Sequence, residues 1–218
     1  MNHSFRIPIP SRLRPADGLY PPLLRQPFGV DGSPTLSVIG CPGLLLPRSL
    51  GIVCSRRCPG SVVVHMYELM QSLKLYQCTL VGGFHSPMER ECLKVLSRGR
   101  ASVVLCPARG LERMRLSATM RTMLGEGRMA IVSPFAPDIR RSSIALAQAR
   151  NRFVGSLSTE VLVAHAAPGS STEQFAREML SKSKSVLTIA DPSNSNLLSL
   201  GVKVLDPSAW SGSRTGLT

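Results

Sequence analysis

From Thr35 onward the sequence alternates short apolar runs with stretches of helical spacing, and this alternation restricts the fold more than any other feature. The runs are "TLSVIG", "LGIVCS", "CTLVGG", "SVVLCPA", "RMAIVSP", "EVLVAHAA", "SVLTIA" and "VKVL". Helical spacing fills Val62 to Leu75, Pro87 to Leu96 and Thr172 to Ser181. Strands that are apolar throughout need cover on both faces, which crossover helices supply in a parallel sheet. The pattern therefore predicts an α/β fold: a doubly wound, mostly parallel sheet with helices on both faces. The 218 residues suffice for one such core with short extensions. Residues 1–34, rich in Pro, Arg and Gly and without a sustained period, read as an N-terminal extension. Residues 35–207 read as the domain, and 208–218, small and polar with one Trp, as a C-terminal tail.

In a doubly wound sheet, ligands bind where strands end and helices begin, so the strand-exit loops carry the candidate site. The stretch "HAAPGSSTEQFAREML" raises the sharpest question: phosphate cradle, or tight connection between a strand and a helix? Gly169 admits a close backbone approach, Ser170 and Ser171 offer hydroxyls, and Thr172 can cap a helix whose free amides attract an anion. The same residues also make an ordinary capped turn. In "CSRRCPG", Ser55 and Arg56 follow a buried strand, where a guanidinium can fork onto a phosphate, while Arg57 points elsewhere. "GGFHSPMERE" offers Gly82, Gly83, Phe84 for stacking and His85 for an anion or a proton, although both rings can equally pack. "PARG" adds Arg109.

In "ARNRFVGSLS", Arg150 and Arg152 flank Asn151 and share a helix face only if Asn151 interrupts or begins the helix; otherwise one of them anchors structure. His165 lies inside an apolar run and reads as a core residue satisfied by hydrogen bonds. Carboxylates near the exits are few, namely Glu89, Glu91, Glu112 and Glu173, and no spacing among them marks an acid and base pair. Glu173 is the best single candidate.

Charge narrows the partner. The 26 Lys and Arg against 13 Asp and Glu give +13, which favours a polyanion such as nucleic acid or a phosphorylated ligand. The six cysteines sit mostly in apolar runs, as buried thiols of a reducing compartment do. Cys54, Cys58 and His65 could be metal ligands, but no second paired-ligand knuckle accompanies them. No segment approaches a membrane span or a signal peptide, so the expectation is a cytoplasmic protein without metal or cofactor.

Taken in order, these segments resemble the DNA-processing protein A family, whose core is an extended Rossmann-like domain that binds single-stranded DNA. "YPPLL", "PTLSVIG" and "LGIVCSRRCPG" follow that family's Tyr-Pro segment, apolar strand and Gly-Ser-Arg loop, and "VGGFHSPME" falls where it has a Ser-Gly-Gly-Ala-Arg-Gly type of loop. "ARNRFVGSLSTEVLVAHAAPGSSTEQFAREML" and "DPSNSNLLSLGVKVL" are the more specific matches. The resemblance implies that Arg56, Arg150 and Arg152 contact phosphates with help from the "PGSST" amides, and that the protein self-associates. Three departures stand out: Cys54 replaces the loop glycine, "GGFHSPME" lacks the family's arginine and acid, and no winged helix follows in this sequence.

"PGSSTEQ" is also similar to the Pro-Gly-Gly-x-Gly-Thr-x-Glu motif of the lonely-guy phosphoribohydrolases, under which Glu173 would be catalytic in cleaving a nucleoside 5′-monophosphate. Two of that motif's glycines are serines here, and no counterpart of its catalytic arginine motif stands out. The leading expectation is therefore a non-catalytic protein binding single-stranded DNA or a nucleotide, with the phosphoribohydrolase as the alternative.

Overall fold

The computed structural model describes residues 9–25, 33–112 and 114–210. Among them the backbone forms one nine-stranded sheet in the order β1-β2-β6-β5-β4-β3-β7-β8-β9. The strands are β1 (Ser11–Leu13), β2 (Leu36–Gly40), β3 (Ser49–Val53), β4 (Thr79–Gly82), β5 (Ser102–Leu105), β6 (Met129–Ser133), β7 (Glu160–Val163), β8 (Ser185–Thr188) and β9 (Lys203–Val204). The helices are α1 (Gly60–Leu73), α2 (Pro87–Ser97), α3 (Ala118–Gly125), α4 (Ile144–Leu157), α5 (Ser171–Ser181) and α6 (Ser195–Ser199).

Every pairing from β6 through β9 is parallel, whereas β1 with β2 and β2 with β6 are antiparallel. From β3 the chain winds outward through β4, β5 and β6. Helix α4 then carries it back past β3 to β7, and it winds the other way to β9. The direction thus reverses between β3 and β7, which is the topological switch point of the sheet.

Side chains alternate across the central strands and build a core on each face. On one side Leu50, Ile52, Leu80 and Val103 meet Val62, Met66 and Leu73 of α1, Cys92 and Leu96 of α2 and Met123 of α3. On the other, Val53, Val81, Val104 and Val161 meet Phe153 and Val154 of α4, Phe175 and Met179 of α5 and Leu197 of α6. Each aliphatic side chain buried this way contributes about 1.5–3 kcal/mol.

The described part of the extension belongs to this body. β1 joins the sheet, Leu13 and Leu24 are buried in the second core, and fully buried Tyr20 donates its hydroxyl to the Pro34 carbonyl at 2.8 Å. At the other end, Trp210 closes a 3-10 turn (Pro207–Trp210), is buried against the first core, and lies 4.2 Å beneath the Arg48 guanidinium. The folded chain therefore runs past the expected start of the tail at 208; residues 211–218 lie outside the described residues, as do 1–8 and 26–32 of the extension. None of the described helices is long and apolar enough to cross a membrane.

Candidate nucleic-acid interface

Because β5, β4, β3 and β7 run parallel and adjacent, their exits share one rim of the sheet. Backbone hydrogen bonds stitch the exits together: Cys106 N to Gly82 O at 2.8 Å joins β5 to β4, and Ser55 N to His165 O at 3.0 Å joins β3 to β7.

The β4 exit is closed by a carboxylate. Ser86 caps α2, and Glu89 completes a capping box. Only 3% exposed, Glu89 accepts from His85 N at 2.9 Å, Ser86 N at 3.2 Å and Cys54 N at 3.3 Å, so it braces this loop against the β3 exit. Phe84 adopts φ 47°, a left-handed conformation uncommon outside glycine, and its ring is buried in the first core. The ring is therefore an anchor rather than an open stacking surface; the His85 side chain is exposed.

Beside this loop lies Arg150. It is 6% exposed, and its guanidinium comes up from α4 directly under Gly83. A Cβ on Gly83 would sit 1.0 Å from Arg150 Nη1, so a side chain there would have to displace the guanidinium. Nη1 donates a long 3.5 Å hydrogen bond to Cys106 O, and Nε has no partner among the described residues. No ion pair with a described carboxylate neutralises this guanidinium. Burying an unpaired charge costs several kcal/mol unless an anion compensates it. On the neighbouring β3 exit, Ser55 Oγ is likewise buried without a partner among the described residues.

The β7 exit differs. Gly169 takes φ 72°, Ser170 caps α5 by accepting from Glu173 N at 3.2 Å, and the Glu173 carboxylate accepts from Gly169 N at 3.0 Å and Asn196 Nδ2 at 2.7 Å. The hydrogen bond from Asn196, then that from Gly169, with Arg177 nearby, hold the Glu173 carboxyl below the usual carboxylate range. Both oxygens of this carboxylate are thus engaged inside the protein, one by its own loop and the other by Asn196. The "PGSST" turn, with Ser171 exposed and Thr172 buried, is thus a capped connection whose Gly169 amide already serves an internal carboxylate.

The remaining predicted residues spread along the rim. Helix α4 is continuous through Asn151, so Arg150 and Arg152 point about 200° apart. Half-exposed Arg152 pairs with Glu178 of α5 at 2.7 Å, the structural anchor of the two, and Asn151 is half-buried between them. Exposed Arg56 lines a depression of about 280 Å³ with Cys58, Val63, Pro87, Met88 and Arg90, on the α1 and α2 side. Arg56 and Arg150 therefore approach the rim from opposite faces of the sheet. Half-buried Arg109 is fixed through its carbonyl, which accepts from Ser133 Oγ at 2.7 Å. His165 is a satisfied core residue: Nδ1 donates to Asn194 Oδ1 at 2.9 Å, and Asn194 Nδ2 donates to the Ala164 and Ile189 carbonyls. His65 turns toward Asp191, 3.7 Å away, and no three His, Cys, Asp or Glu among the described residues gather as a metal site.

Sequence reasoning passes over the bracing roles of Glu89 and Asn196. The Ser-x-x-Glu spacing of a capping box, present at Ser86 and again at Ser170, signals the first; nothing local signals the second.

The sequence matches the family model described as DNA recombination-mediator protein A over residues 11–209. Among solved structures, DNA processing protein A from Streptococcus pneumoniae is 20% identical, with a TM-score of 0.73 covering 89% of this chain and 70% of that one. DNA processing protein A from Helicobacter pylori, described for its single-stranded DNA binding mode, is 18% identical, with a TM-score of 0.74 covering 93% and 94%. The molybdenum cofactor carrier protein from Chlamydomonas reinhardtii shares the fold more loosely, at 16% identity and a TM-score of 0.52 over 76% and 94%. The comparison with curated proteins gives no match. Since the family match covers almost the entire folded body and its fold agrees with both DNA processing proteins, the chain belongs to the DNA recombination-mediator protein A family.

Proposed function

We propose that this protein binds single-stranded DNA without altering it covalently, and that a backbone phosphate is held at the rim by Arg150. The observation that carries the reading is the buried guanidinium with no described carboxylate to neutralise it, set under Gly83, where a side chain would have to displace it. Ser55 Oγ, buried without a partner among the described residues at the β3 exit, supplies a donor of the kind a phosphate oxygen accepts. Arg56 and Arg109, both on the same rim, extend the positive track toward neighbouring phosphates, with His85 exposed at its edge. The net charge of +13 supplies long-range attraction. Family membership supports the same partner, and the Helicobacter pylori relative is described as binding it. Gly169 to Thr172 contribute less, because Glu173 occupies the Gly169 amide.

The test is fluorescence anisotropy with a labelled oligonucleotide at two salt concentrations, using wild type, Arg150→Ala and Arg150→Lys. Affinity falls steeply with salt, as neutralised phosphates release counterions. Arg150→Ala weakens binding at both concentrations while circular dichroism stays native. Equal affinity for the folded Arg150→Ala protein would overturn the assignment. Incubation with common nucleoside monophosphates, followed by chromatography, shows no released base. Six unpaired cysteines accord with a cytoplasmic setting, and sedimentation with and without oligonucleotide tests self-association.

A further inference from the structure

The depression of about 280 Å³ on the α1 and α2 side of the rim lies between the β3 exit and the first turns of the two helices. Much of its lining is apolar: half-buried Cys58 from the loop, exposed Val63 from α1, and exposed Pro87 and buried Met88 from α2. Arg56 and Arg90 complete it. Both are exposed, and neither guanidinium pairs with a carboxylate among the described residues. Glu91, the one acid in the lining, is engaged by Lys94 at 2.6 Å. The two loops that frame the hollow are fixed to each other. Glu89 accepts from Cys54 N of one and from His85 N and Ser86 N of the other, so the frame needs no ligand to hold its shape.

We propose, building on single-strand binding with a phosphate at Arg150, that this depression receives one nucleobase of the same strand. Arg56 connects the two places, because it belongs to a rim loop and to the hollow at once. A phosphate track alone calls for cations along an open surface and gives no reason for an apolar recess beside them. An unstacked base gives that reason. Its flat faces leave water for Val63, Pro87 and Met88, and its π system attracts a guanidinium laid over it. In a duplex the bases are stacked and paired, so the recess favours single strands over double.

Size and lining also define how the base is taken. A hollow of this volume lies at the small end of ligand pockets, so it holds one base and not a run of them. None of the buried polar atoms that lack a partner among the described residues belongs to its lining. No buried donor or acceptor therefore waits for a particular base edge, and the recess accepts any base, as single-strand binders without sequence preference do.

The experiment compares two single strands of equal length and charge, one of thymidylate and one abasic at every internal position. Fluorescence anisotropy is read with wild type, Arg90→Ala and Arg150→Ala. Wild type should bind the thymidylate strand several-fold more tightly. In Arg90→Ala that preference should shrink about 2- to 5-fold, the range of a cation over an exposed π face, while affinity for the abasic strand falls less. Arg150→Ala should weaken both strands alike and keep the ratio. A strand carrying 4-thiothymidine, irradiated on wild type, should attach to residues 58–74, the tryptic segment that starts after Arg57, ends at Lys74 and carries Cys58 and Val63. Equal wild-type affinity for the two strands, an Arg90→Ala ratio equal to wild type, or attachment confined to other segments would each overturn the base recess while the phosphate at Arg150 stands. Binding of neither strand would overturn both.

Discussion

Two strand exits of this protein are built to one plan and yet do different work. At β4, Ser86 caps α2 and Glu89 folds back onto the loop amides; at β7, Ser170 caps α5 and Glu173 does the same. Each turn passes through a residue at positive φ, Phe84 in one and Gly169 in the other. What separates them is charge. Glu173 has Asn196 as hydrogen-bond donor and Arg177 at 3.8 Å, so the β7 exit is electrostatically closed. The β4 exit stands over Arg150, a buried cation with no described carboxylate of its own. A glycine and serine turn that looks made for phosphate is therefore the satisfied one, and the exit with an aromatic in its turn holds the unmet charge. Under the proposed function, the missing counter-charge marks the anion site more than the residues of its loop do.

The comparison breaks most readily at Arg150. If its charge serves an external phosphate, Arg150→Ala should weaken oligonucleotide binding about 10-fold or more, the range of a charge-assisted hydrogen bond. Arg150→Met should also lose binding yet unfold no earlier than wild type, and calorimetry beside anisotropy checks both halves. A Met variant with a sharply lowered Tm would mean that the guanidinium serves the fold. Gly83→Ala reaches the same point from the other side. A Cβ placed 1.0 Å from Nη1 must displace the guanidinium, so binding should drop toward the Arg150→Ala level. The accompanying stability loss should be about 1–3 kcal/mol by overpacking, read from denaturant unfolding.

Acid sharpens the contrast between the carboxylates. The Glu173 carboxyl is held below its unfolded range, so its stabilisation is present at neutral pH and fades as pH falls through the folded value. Glu173→Gln should therefore flatten the acid limb of stability against pH and leave oligonucleotide binding near wild type. Glu89→Gln should cost more stability at neutral pH, because Glu89 serves three amides on two loops. The smallest effect belongs to Arg152→Ala. Half-exposed and paired with Glu178, it should cost at most about 1 kcal/mol and change affinity little.

Much of this architecture is legible in the sequence. Apolar runs separated by helical spacing identify β2 through β8, because a covered strand leaves no polar face to mistake, and "VKVL" marks β9 although both of its residues are exposed. β1 escapes, since three residues carry no period and their place depends on β2 beside them. α3 and the continuity of α4 escape too: "ARNRF" invites a break at Asn151, whereas the burial of Arg150, Phe153 and Val154 shows one uninterrupted face. At the site, a Ser with Glu three residues on is readable as a cap in both loops. The reach of Glu89 to Cys54 and the seating of Arg150 under Gly83 are contacts between distant segments, and no local pattern encodes them.

The chain has a single indole, at Trp210, wedged between the core of the α1 face and the guanidinium of Arg48, which itself grips Glu160 at the start of β7. Its emission is consequently a built-in gauge of one corner. Fluorescence will register detachment of the last described turn, or loosening where β7 begins, before it registers anything at the far edge beside β1. Loss of signal in a melting curve should therefore be compared with a probe at β1 before the whole sheet is said to have come apart.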